Sequence, residues 1–450
     1  MSIKHYFHET LLREYDIRGI VNETLFEADA LIIGKIFGTR VLENNGRSVA
    51  IGRDGRHSSI KMETALVEGL QSAGVDAYTI GECPTPQLYY ATHTLKMGGG
   101  IMVTGSHNPP NYNGFKMMLG TRPFFGSDIK DMAKTAATGD YRSGLGKVIK
   151  TDIFSNYIDR LLLNIDLEKQ LSIVWDCGNG SAGPAVEALC KRLRGKHKIL
   201  FSEVNGDFPN HHPDPTVEEN LETLIASIKS ENADLGIAFD GDGDRIGVVD
   251  ENGKFIHPDR LMTIFVKDIL GEREGGTESE RTVFYDVKCS MALEEVIYSS
   301  GGFPKMVRTG HSFMKRELKE NPDSPLAGEM SGHFFLNDRW PGFDDSLYNT
   351  ARLLEIIARE PSPNEGGPSF SDWFEDLPNY ASTGEAKVPL SFDREQTMSS
   401  VIRVFSDMNS STVDGVRVRY PDGWFLCRPS NTEPILVMRA EANDLSLIHI

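Results

Sequence analysis

The segment "SVAIGRDGRHSSIKMETALVEGLQSAG", residues 48–74, decides the fold of this chain. It begins with a short apolar run of strand length, passes through a polar turn, and continues into a helix-like stretch. The same rhythm recurs in "SIVWD" before "GPAVEALCKRLRG" and in "TVFYDV" before "SMALEEVIYSSGG". Strands that alternate with helices predict βαβ units in a mostly parallel sheet with helices on both faces.

The three strands also end alike, in a tight polar turn that carries Asp54, Asp176 or Asp286. The spacings of 122 and 110 residues are far too long for a solenoid repeat. They predict three related α/β domains with mixed sheets in tandem. Any βα turn favours Asp or Gly, however, so a coincidence of turn chemistry stays open.

A different pattern follows the linker-like segment "PSPNEGGPSFSD", residues 361–372. The runs "GVRVRY", "GWFLCRP" and "PILVMRAEA" are typical of antiparallel strands, which predicts a smaller α+β domain at the end of the chain. The expected domains are 1–152, 153–256, 257–368 and 369–450.

Composition excludes several classes of protein. The chain has 450 residues, 39% of them hydrophobic, and a formal net charge of −18, which disfavours nucleic acid and anionic membranes as partners. No stretch approaches the roughly 18 apolar residues of a membrane span, and the first residues lack a secretory pattern. Five scattered cysteines without a CxxC pair indicate the cytoplasm rather than an oxidising compartment. An anionic ligand would therefore need a local cluster of basic residues.

The strongest metal signal is "LGIAFDGDGDRIGVVDENG", residues 235–253, where Asp240, Asp242 and Asp244 alternate with glycines between two apolar runs. Three carboxylates at this spacing can converge on one hard cation, and Mg²⁺ is the expected metal. An EF-hand does not fit, because Arg245 stands where that loop requires Gly.

A competing signal is Gly178-x-Gly180-x-x-Gly183, which lies between a strand and a helix and is followed by Glu203. On paper this pattern satisfies the dinucleotide fingerprint and predicts an NAD-binding oxidoreductase. The alternative is a tight βα turn whose helix begins at Pro184.

The segment "TGSHNPPNYNGFK", residues 104–116, predicts a kinked loop with Ser106 at its tip. It is not the nucleophile elbow of a hydrolase, because Thr104 and Asn108 stand where glycines are required. Ser106 can carry a phosphoryl group or bind a metal, with or without help from His107, and a purely structural loop stays open.

Two further loops suit binding. "CRPSNTEP", residues 427–434, combines Arg428 with hydroxyl and amide side chains in a turn that fits an oxyanion. "GEMSGH", residues 328–333, places Glu329, Ser331 and His333 among glycines, which suits recognition of vicinal hydroxyls. For both loops a plain surface turn is the alternative.

Taken together and in this order, "TGSHNPPNYNGFK", "DGDGDR", "GEMSGH" and "RPSNTEP" resemble the motifs of the α-D-phosphohexomutase family. The resemblance extends from "EYDIRG" at 14–19 to about residue 440. It implies four domains around a central cleft, three of them α/β with related topology and the fourth a smaller α+β domain. It further implies a phosphohexomutase that interconverts hexose 1-phosphates and 6-phosphates, with mannose and glucose as the expected sugars.

The resemblance also assigns roles. It implies that Ser106 is the phosphoserine and that Asp240, Asp242, Asp244 and the Ser106 phosphate hold one Mg²⁺. Arg18 and Lys116 are expected beside the phosphoserine, and His333 in proton transfer. The expected substrate contacts are Arg245, Lys288, His311, Glu329, Ser331, Arg428, Ser430, Asn431 and Thr432.

The remaining implications concern partners and rivals. Hexose 1,6-bisphosphate is expected as activator, and the protein as a monomer or weak dimer. The sequence ends where the family continues into a closing helix, so a shortened fourth domain is expected. The rivals are a phosphoglucosamine mutase, a sugar-phosphate-binding protein without turnover, and the NAD-binding oxidoreductase.

Overall fold

The computed structural model describes residues 4–165, 169–390, 393–430 and 435–444. The chain divides into two compact units, namely Met1–Ile256 with Phe343–Ser371 and His257–Gly342 with Asp372–Ile450. Each unit contains two β-sheets.

The first sheet of the first unit has seven strands and four accompanying helices. They are β1 (Ile17–Ile20), α1 (Glu27–Glu43), β2 (Ser48–Arg53), α2 (Ser59–Ala73), β3 (Asp76–Glu82), α3 (Thr85–Thr94), β4 (Gly99–Val103), β5 (Tyr112–Leu119), β6 (Arg122–Pro123), α4 (Ser127–Thr138) and β7 (Val148–Lys150). The strand order is β1-β5-β4-β2-β3-β7, and β6 pairs with β5. Strands β4, β2, β3 and β7 are parallel, whereas β5 runs antiparallel to both neighbours. Phe37, Ile51, Ile101 and Phe115 belong to the core that covers this sheet.

The second sheet of the first unit has five strands. Its elements are α5 (Phe154–Leu161), β8 (Leu171–Asp176), α6 (Gly183–Cys190), β9 (Gly195–Leu200), α7 (Glu222–Glu231), β10 (Leu235–Phe239), β11 (Ile246–Asp250) and β12 (Phe255–Ile256). The strand order is β12-β11-β10-β8-β9, with β10, β8 and β9 parallel and β11 antiparallel to β10. Every residue of β10 and β11 is buried, as expected for strands with both faces covered.

The second unit begins with a four-stranded sheet. Its elements are α8 (Pro258–Gly271), β13 (Thr282–Asp286), α9 (Met291–Ser299), β14 (Phe303–Val307), α10 (His311–Glu320), β15 (Leu326–Gly328) and β16 (Phe334–Leu336). The strand order is β14-β13-β15-β16, and only β16 is antiparallel to its neighbour. The next helix, α11 (Ser346–Ala358), belongs to the first unit. The boundaries of the four domains therefore stay a prediction.

The last sheet contains the end of the chain. Its elements are β17 (Ala381–Ser382), β18 (Ala386–Pro389), α12 (Arg394–Val404), β19 (Ser410–Ser411), β20 (Val416–Tyr420), β21 (Gly423–Pro429) and β22 (Ile435–Ala442). Every pairing in it is antiparallel, so the change of pattern expected after residue 372 is confirmed. In the part of the chain that the structure describes, no helix is long and apolar enough to cross a bilayer.

Three of the four sheets share one topology. The orders β5-β4-β2-β3, β11-β10-β8-β9 and β16-β15-β13-β14 match strand for strand, including the antiparallel pair at one side. Asp54 directly follows β2, while Asp176 and Asp286 are the last residues of β8 and β13. The predicted set of three related α/β domains with mixed sheets and a smaller α+β domain is confirmed. The rhythm of strands and helices favoured mostly parallel strands, and it did not show which strands form the antiparallel pairs.

Candidate active site

The predicted functional loops occupy equivalent places in the three related sheets. Each one connects the two strands of the antiparallel pair: residues 104–111 between β4 and β5, residues 240–245 between β10 and β11, and residues 329–333 between β15 and β16. We name the first two the Ser106 loop and the Asp loop. A tight turn between buried strands holds polar side chains at a fixed edge of the sheet, which suits a functional site.

Ser106 is held in an uncommon conformation at the tip of its loop. Its φ of +48° lies in the left-handed region, which is costly for a residue with a side chain. The backbone N–H of Ser106 donates to Thr104 Oγ1 at 2.8 Å. Its hydroxyl donates to Asp240 Oδ2 at 3.1 Å and lies 3.2 Å from Nδ1 of His107. The structure thus brings the predicted phosphoserine into direct contact with the Asp loop.

The Asp loop can hold a metal ion. Asp240, Asp242 and Asp244 are fully buried, and each offers a carboxylate oxygen within 4.8 Å of the others. Oδ1 of Asp242 has no hydrogen-bond partner among the described residues. Burial, and then the charges of Asp242 and Asp244, raise the pKa of Asp240 above its usual range. A buried cluster of hard oxygens with excess negative charge fits a divalent cation such as Mg²⁺.

Predicted basic residues surround this cluster. Nζ of Lys116 lies 2.7 Å from Oδ2 of Asp242 and also contacts Asp244. Burial disfavours its ammonium, but these carboxylates outweigh burial and raise the pKa of Lys116. Arg245 donates from Nε to Asp240 Oδ2 at 3.1 Å. The first unit therefore brings together the basic residues that an anionic ligand requires in an acidic protein.

Arg18 contacts the Ser106 loop from the neighbouring strand β1. Its Nη1 donates to the carbonyl oxygen of Gly105 at 2.6 Å and also contacts Asn108. Its Nη2 forms an ion pair with Asp16. The expected place of Arg18 beside the phosphoserine agrees with these contacts, because Gly105 directly precedes Ser106.

The sequence did not indicate three residues that support this site. Thr85 donates from Oγ1 to Asp242 Oδ2 at 2.5 Å, and Asp214 Oδ1 lies 3.3 Å from Nη1 of Arg245. Arg56 donates to several carbonyl oxygens of the Ser106 loop. Each residue follows a turn signal in the sequence, but a turn signal does not reveal a partner dozens of residues away.

The glycine-rich turn after β8 uses its N–H groups within the protein, which favours the alternative of a tight βα turn over the dinucleotide fingerprint. The N–H of Ser181 donates to the carbonyl of Gly241 at 3.0 Å, and the N–H of Gly180 to that of Cys177 at 2.7 Å. These N–H groups are the ones that a pyrophosphate would need. Gly180 is required for a different reason: a Cβ there would lie 2.9 Å from the carbonyl oxygen of Gly241. The turn packs against the Asp loop at Gly241 and stabilises it through the hydrogen bond from Ser181.

A pH-dependent contact lies beside this turn, between Asp176 at the end of β8 and His211 in the segment between β9 and α7, and it leads to a testable prediction. Nε2 of His211 lies 3.0 and 3.1 Å from the two carboxylate oxygens of buried Asp176. Burial disfavours the charged ring, but the hydrogen bond and charge of Asp176 outweigh burial and raise the pKa of His211. Its stabilisation is therefore complete below the unfolded pKa of about 6.5 and lost as the pH rises through the folded pKa. His211→Gln should destabilise the protein by about 1–2 kcal/mol at low pH and by less at high pH.

Calorimetric melting at about pH 5.5 and about pH 8.5 would measure this difference. The neighbouring His212 is a matched control, because burial lowers the pKa of its ring. His212→Gln should show no loss of stability that grows toward low pH. A loss for His211→Gln that is the same at both pH values would contradict the prediction.

In the second unit the loop at residues 329–333 packs against the start of α10. Oε1 of Glu329 accepts the N–H of Gly310 at 2.5 Å, and the rings of His311 and His333 stack with centroids 5.4 Å apart. Burial raises the pKa of Glu329. Ser331 lies in the turn itself, half-buried. The structure thus brings three of the predicted substrate residues, together with His333, the expected proton-transfer group, to one end of this sheet.

Two of the remaining predicted substrate residues of the second unit, Arg428 and Lys288, are held by acidic partners. Nε of Arg428 donates to Asp414 Oδ2 at 2.7 Å, and Nζ of Lys288 to Glu385 Oε1 at 2.9 Å. Ser430 is buried, and its N–H donates to the carbonyl of Ile435 at 2.9 Å. Two further predicted residues lie outside the described part of the chain, Asn431 and Thr432.

Comparison with known proteins gives one consistent result. Residues 9–141 match the family model described as "Phosphoglucomutase/phosphomannomutase, alpha/beta/alpha domain I". Residues 155–253 match domain II and residues 257–380 match domain III of the same family. Residues 385–449 match its C-terminal domain. A protein of Pseudomonas syringae pv. tomato named phosphomannomutase/phosphoglucomutase is 42% identical over 447 residues, covering 98% of this chain and 93% of its own. A phosphoglucomutase of Neisseria gonorrhoeae is 39% identical, with coverages of 97% and 94%.

Solved structures agree with the sequence comparisons. The crystal structure of a phosphoglucomutase/phosphomannomutase family protein from Burkholderia thailandensis is similar to this chain with a TM-score of 0.90 and 40% identity. The similarity covers 98% of this chain and 95% of that protein.

Proposed function

This chain belongs to the phosphoglucomutase/phosphomannomutase family, and from that premise we propose that it interconverts the 1-phosphates and 6-phosphates of mannose and glucose through a phosphorylated Ser106. The observation that carries the proposal is the contact of 3.1 Å between Ser106 Oγ and Asp240, inside a buried group of carboxylates and cations. A serine placed in this way is suited to carry a phosphoryl group and to transfer it to a hydroxyl of the sugar.

The proposed reaction has two halves, and each half transfers one phosphoryl group. In the first half, a substrate hydroxyl oxygen attacks the phosphorus on Ser106, and its bond to phosphorus forms as the Oγ–P bond breaks. The proposal assigns the proton of that hydroxyl to a ring nitrogen of His333. Oγ of Ser106 takes up a proton as it leaves, so that the free serine hydroxyl is restored. Lys116 and Arg18 offset negative charge on the phosphoryl oxygens, which matters most in a loose transition state. Mg²⁺ held by Asp240, Asp242 and Asp244 would supply further withdrawal of charge from those oxygens when bound.

The product of the first half is a hexose 1,6-bisphosphate, and the second half returns its other phosphoryl group to Ser106. The proposal assigns the sugar hydroxyls to Glu329 and Ser331. It assigns the phosphate that is not being transferred to Arg428, Ser430, Asn431 and Thr432, of which the last two lie outside the described residues. Arginine suits that task because its planar fork binds two phosphate oxygens at once. Arg245, Lys288 and His311 are proposed as further substrate contacts.

A direct assay tests the proposal. Mannose 1-phosphate, glucose 1-phosphate and glucosamine 1-phosphate would each be incubated with the enzyme, Mg²⁺ and a trace of hexose 1,6-bisphosphate and followed by ³¹P NMR. Appearance of mannose and glucose 6-phosphates is the expected result. Turnover of glucosamine 1-phosphate alone would identify a phosphoglucosamine mutase, and release of free phosphate a phosphatase. No change with any of the three would favour a binding protein without turnover.

The finer assignments belong to the same proposal. One Mg²⁺ per chain is supported by the Asp loop, and hexose 1,6-bisphosphate as activator by the need to phosphorylate Ser106 before the first turnover. A cytoplasmic location is supported by the five cysteines, which are free thiols and are scattered in the sequence without a CxxC pair. A monomer or weak dimer, and the absence of nucleic-acid and membrane partners, stay predictions.

A further inference from the structure

One buried arginine grips the backbone of the Ser106 loop. The side chain of Arg56, in the turn after β2, is fully buried and directs its guanidinium at four carbonyl oxygens. Nη2 donates to the carbonyls of Ser106 at 2.7 Å and Asn108 at 2.6 Å. Nη1 donates to those of Pro109 at 2.5 Å and Tyr112 at 3.1 Å. A single side chain thus spans the loop from its serine to the first residue of β5.

Asp54 orients this guanidinium and is itself tied to the loop. Its Oδ2 accepts from Nε of Arg56 at 3.1 Å, from Oγ1 of Thr104 at 2.9 Å and from the N–H of Gly105 at 2.9 Å. The fork of an arginine is rigid and planar, so fixing Nε fixes the directions of Nη1 and Nη2 as well. Asp54 and Arg56 together hold the loop on both sides of Ser106.

Close packing leaves the guanidinium no other position. A Cβ at Gly105 would lie 2.3 Å from Nε of Arg56, so only glycine fits between Thr104 and Ser106. On another side, the ring of Phe208 covers the guanidinium, with 5.0 Å between the Arg56 carbon and the ring centroid. Phe208 comes from the segment between β9 and α7, so the second sheet of the first unit also fixes Arg56.

The consequence of this grip concerns Ser106. Its φ of +48° must be imposed by surrounding contacts, and the carbonyl of Ser106 itself is bonded to Arg56. A carbonyl oxygen that is fixed on a guanidinium cannot turn toward a phosphoryl group and repel it. Phosphoryl transfer depends on positioning, and a displacement of about 1 Å can lower a rate by about 100-fold.

We propose that Arg56 is a positioning residue of the transfer reaction, which holds the Ser106 loop in the conformation that directs the Ser106 hydroxyl at Asp240. The proposal rests on the proposed function, because it requires Ser106 to carry the phosphoryl group. The competing explanation is that Arg56 only stabilises the fold.

The chain offers a matched control for a purely structural arginine. Arg281 is also buried and also donates to three carbonyl oxygens, those of Gly301 at 2.7 Å, Ser300 at 2.6 Å and Arg273 at 2.5 Å. These three partners all belong to the second unit, whereas the Ser106 loop belongs to the first. Arg281→Lys therefore removes the same kind of interaction without touching the loop.

The experiment compares Arg56→Lys with Arg281→Lys. Both variants should melt at lower temperature than the wild type. Only Arg56→Lys should lower kcat, by about 100-fold, because lysine keeps the charge but loses the fork. Its KM for glucose 1-phosphate should stay within about threefold of the wild-type value, because Arg56 is outside the proposed substrate contacts. Transfer from enzyme labelled with ³²P at Ser106, measured in a single turnover, should slow by the same factor as kcat.

A milder variant decides the question if Arg56→Lys does not fold. Phe208→Leu keeps all donors of Arg56 and removes only the aromatic face, so kcat should fall by about three- to tenfold with KM unchanged. If Arg56→Lys and Arg281→Lys have equal kcat values, the inference is overturned. If Arg56→Lys does not fold, a wild-type kcat for Phe208→Leu overturns it instead. Wild-type enzyme that neither turns over nor gains a phosphate on Ser106 from the bisphosphate would instead overturn the proposed function.

Discussion

Ser106→Ala is expected to lower kcat for glucose 1-phosphate by at least about 1000-fold, the largest loss that any single substitution in this chain should cause. Alanine removes the only atom that can carry the phosphoryl group between the two halves of the reaction. The substitution leaves a methyl group in place of a buried hydroxyl that donates one hydrogen bond, to Asp240. The fold should therefore persist, and the melting temperature should change little.

Initial rates in a coupled assay, together with mass spectrometry of the intact protein, would measure the effect. Wild-type enzyme treated with hexose 1,6-bisphosphate should gain one phosphate, and Ser106→Ala none. Ser72→Ala is a suitable control, since that hydroxyl on α2 only donates to the carbonyl of Gly69. If Ser106→Ala kept a tenth of the wild-type kcat, Ser106 could not be the phosphoryl carrier.

Asp242→Asn is expected to weaken Mg²⁺ binding by at least about tenfold and to lower kcat by about 100-fold or more. The amide has nearly the same size as the carboxylate but carries no charge. Oδ2 of Asp242 already accepts hydrogen bonds from Thr85 and Lys116, whereas Oδ1 has no hydrogen-bond partner among the described residues. Oδ1 is thus the oxygen of Asp242 that is available to bind Mg²⁺, and replacing the carboxylate with an amide should weaken that bond.

Calorimetric titration with Mg²⁺ separates metal binding from catalysis, and initial rates as a function of Mg²⁺ concentration would measure both. Asp131→Asn removes the same charge from the exposed surface, where Asp131 pairs only with Lys134, and should change neither quantity. Wild-type Mg²⁺ affinity in Asp242→Asn would show that the ion binds elsewhere. Removal of the ion with a chelator should abolish turnover of the wild-type enzyme and be reversed by added Mg²⁺.

The sequence was sufficient to predict most of the fold because local patterns determine most of it. A strand, a polar turn and a helix recur around Asp54, Asp176 and Asp286, and the structure places these residues at equivalent ends of equivalent strands. The three carboxylates of the Asp loop were predictable for the same reason, since their spacing within five residues is itself the signal. Residues that act at short range along the chain leave a readable pattern.

Contacts between distant parts of the chain could not be predicted in this way. Arg56 and the Ser106 loop are separated by about fifty residues, and Asp214 and Arg245 by about thirty. Nothing in a single sequence links such pairs. The glycine turn after β8 misled for a related reason, because its glycines permit close packing against Gly241 rather than against a ligand. The glycine pattern shows that another group can approach this backbone closely, but it does not show whether that group is a ligand or another part of the chain.

The common strand order of three sheets has a consequence for how such a protein originated and how it can be redesigned. Duplication of one ancestral sheet would produce three hairpins at equivalent places, and the three hairpins of this chain carry different residues at their tips. One tip carries Ser106, the proposed phosphoryl carrier, another carries the cluster of carboxylates, and the third is the loop that the proposal assigns to the sugar. If the proposed function holds, sugar preference should behave as a modular property: exchanging residues 329–333 and their immediate neighbours for those of another family member should transfer specificity and leave the reaction at Ser106 unchanged.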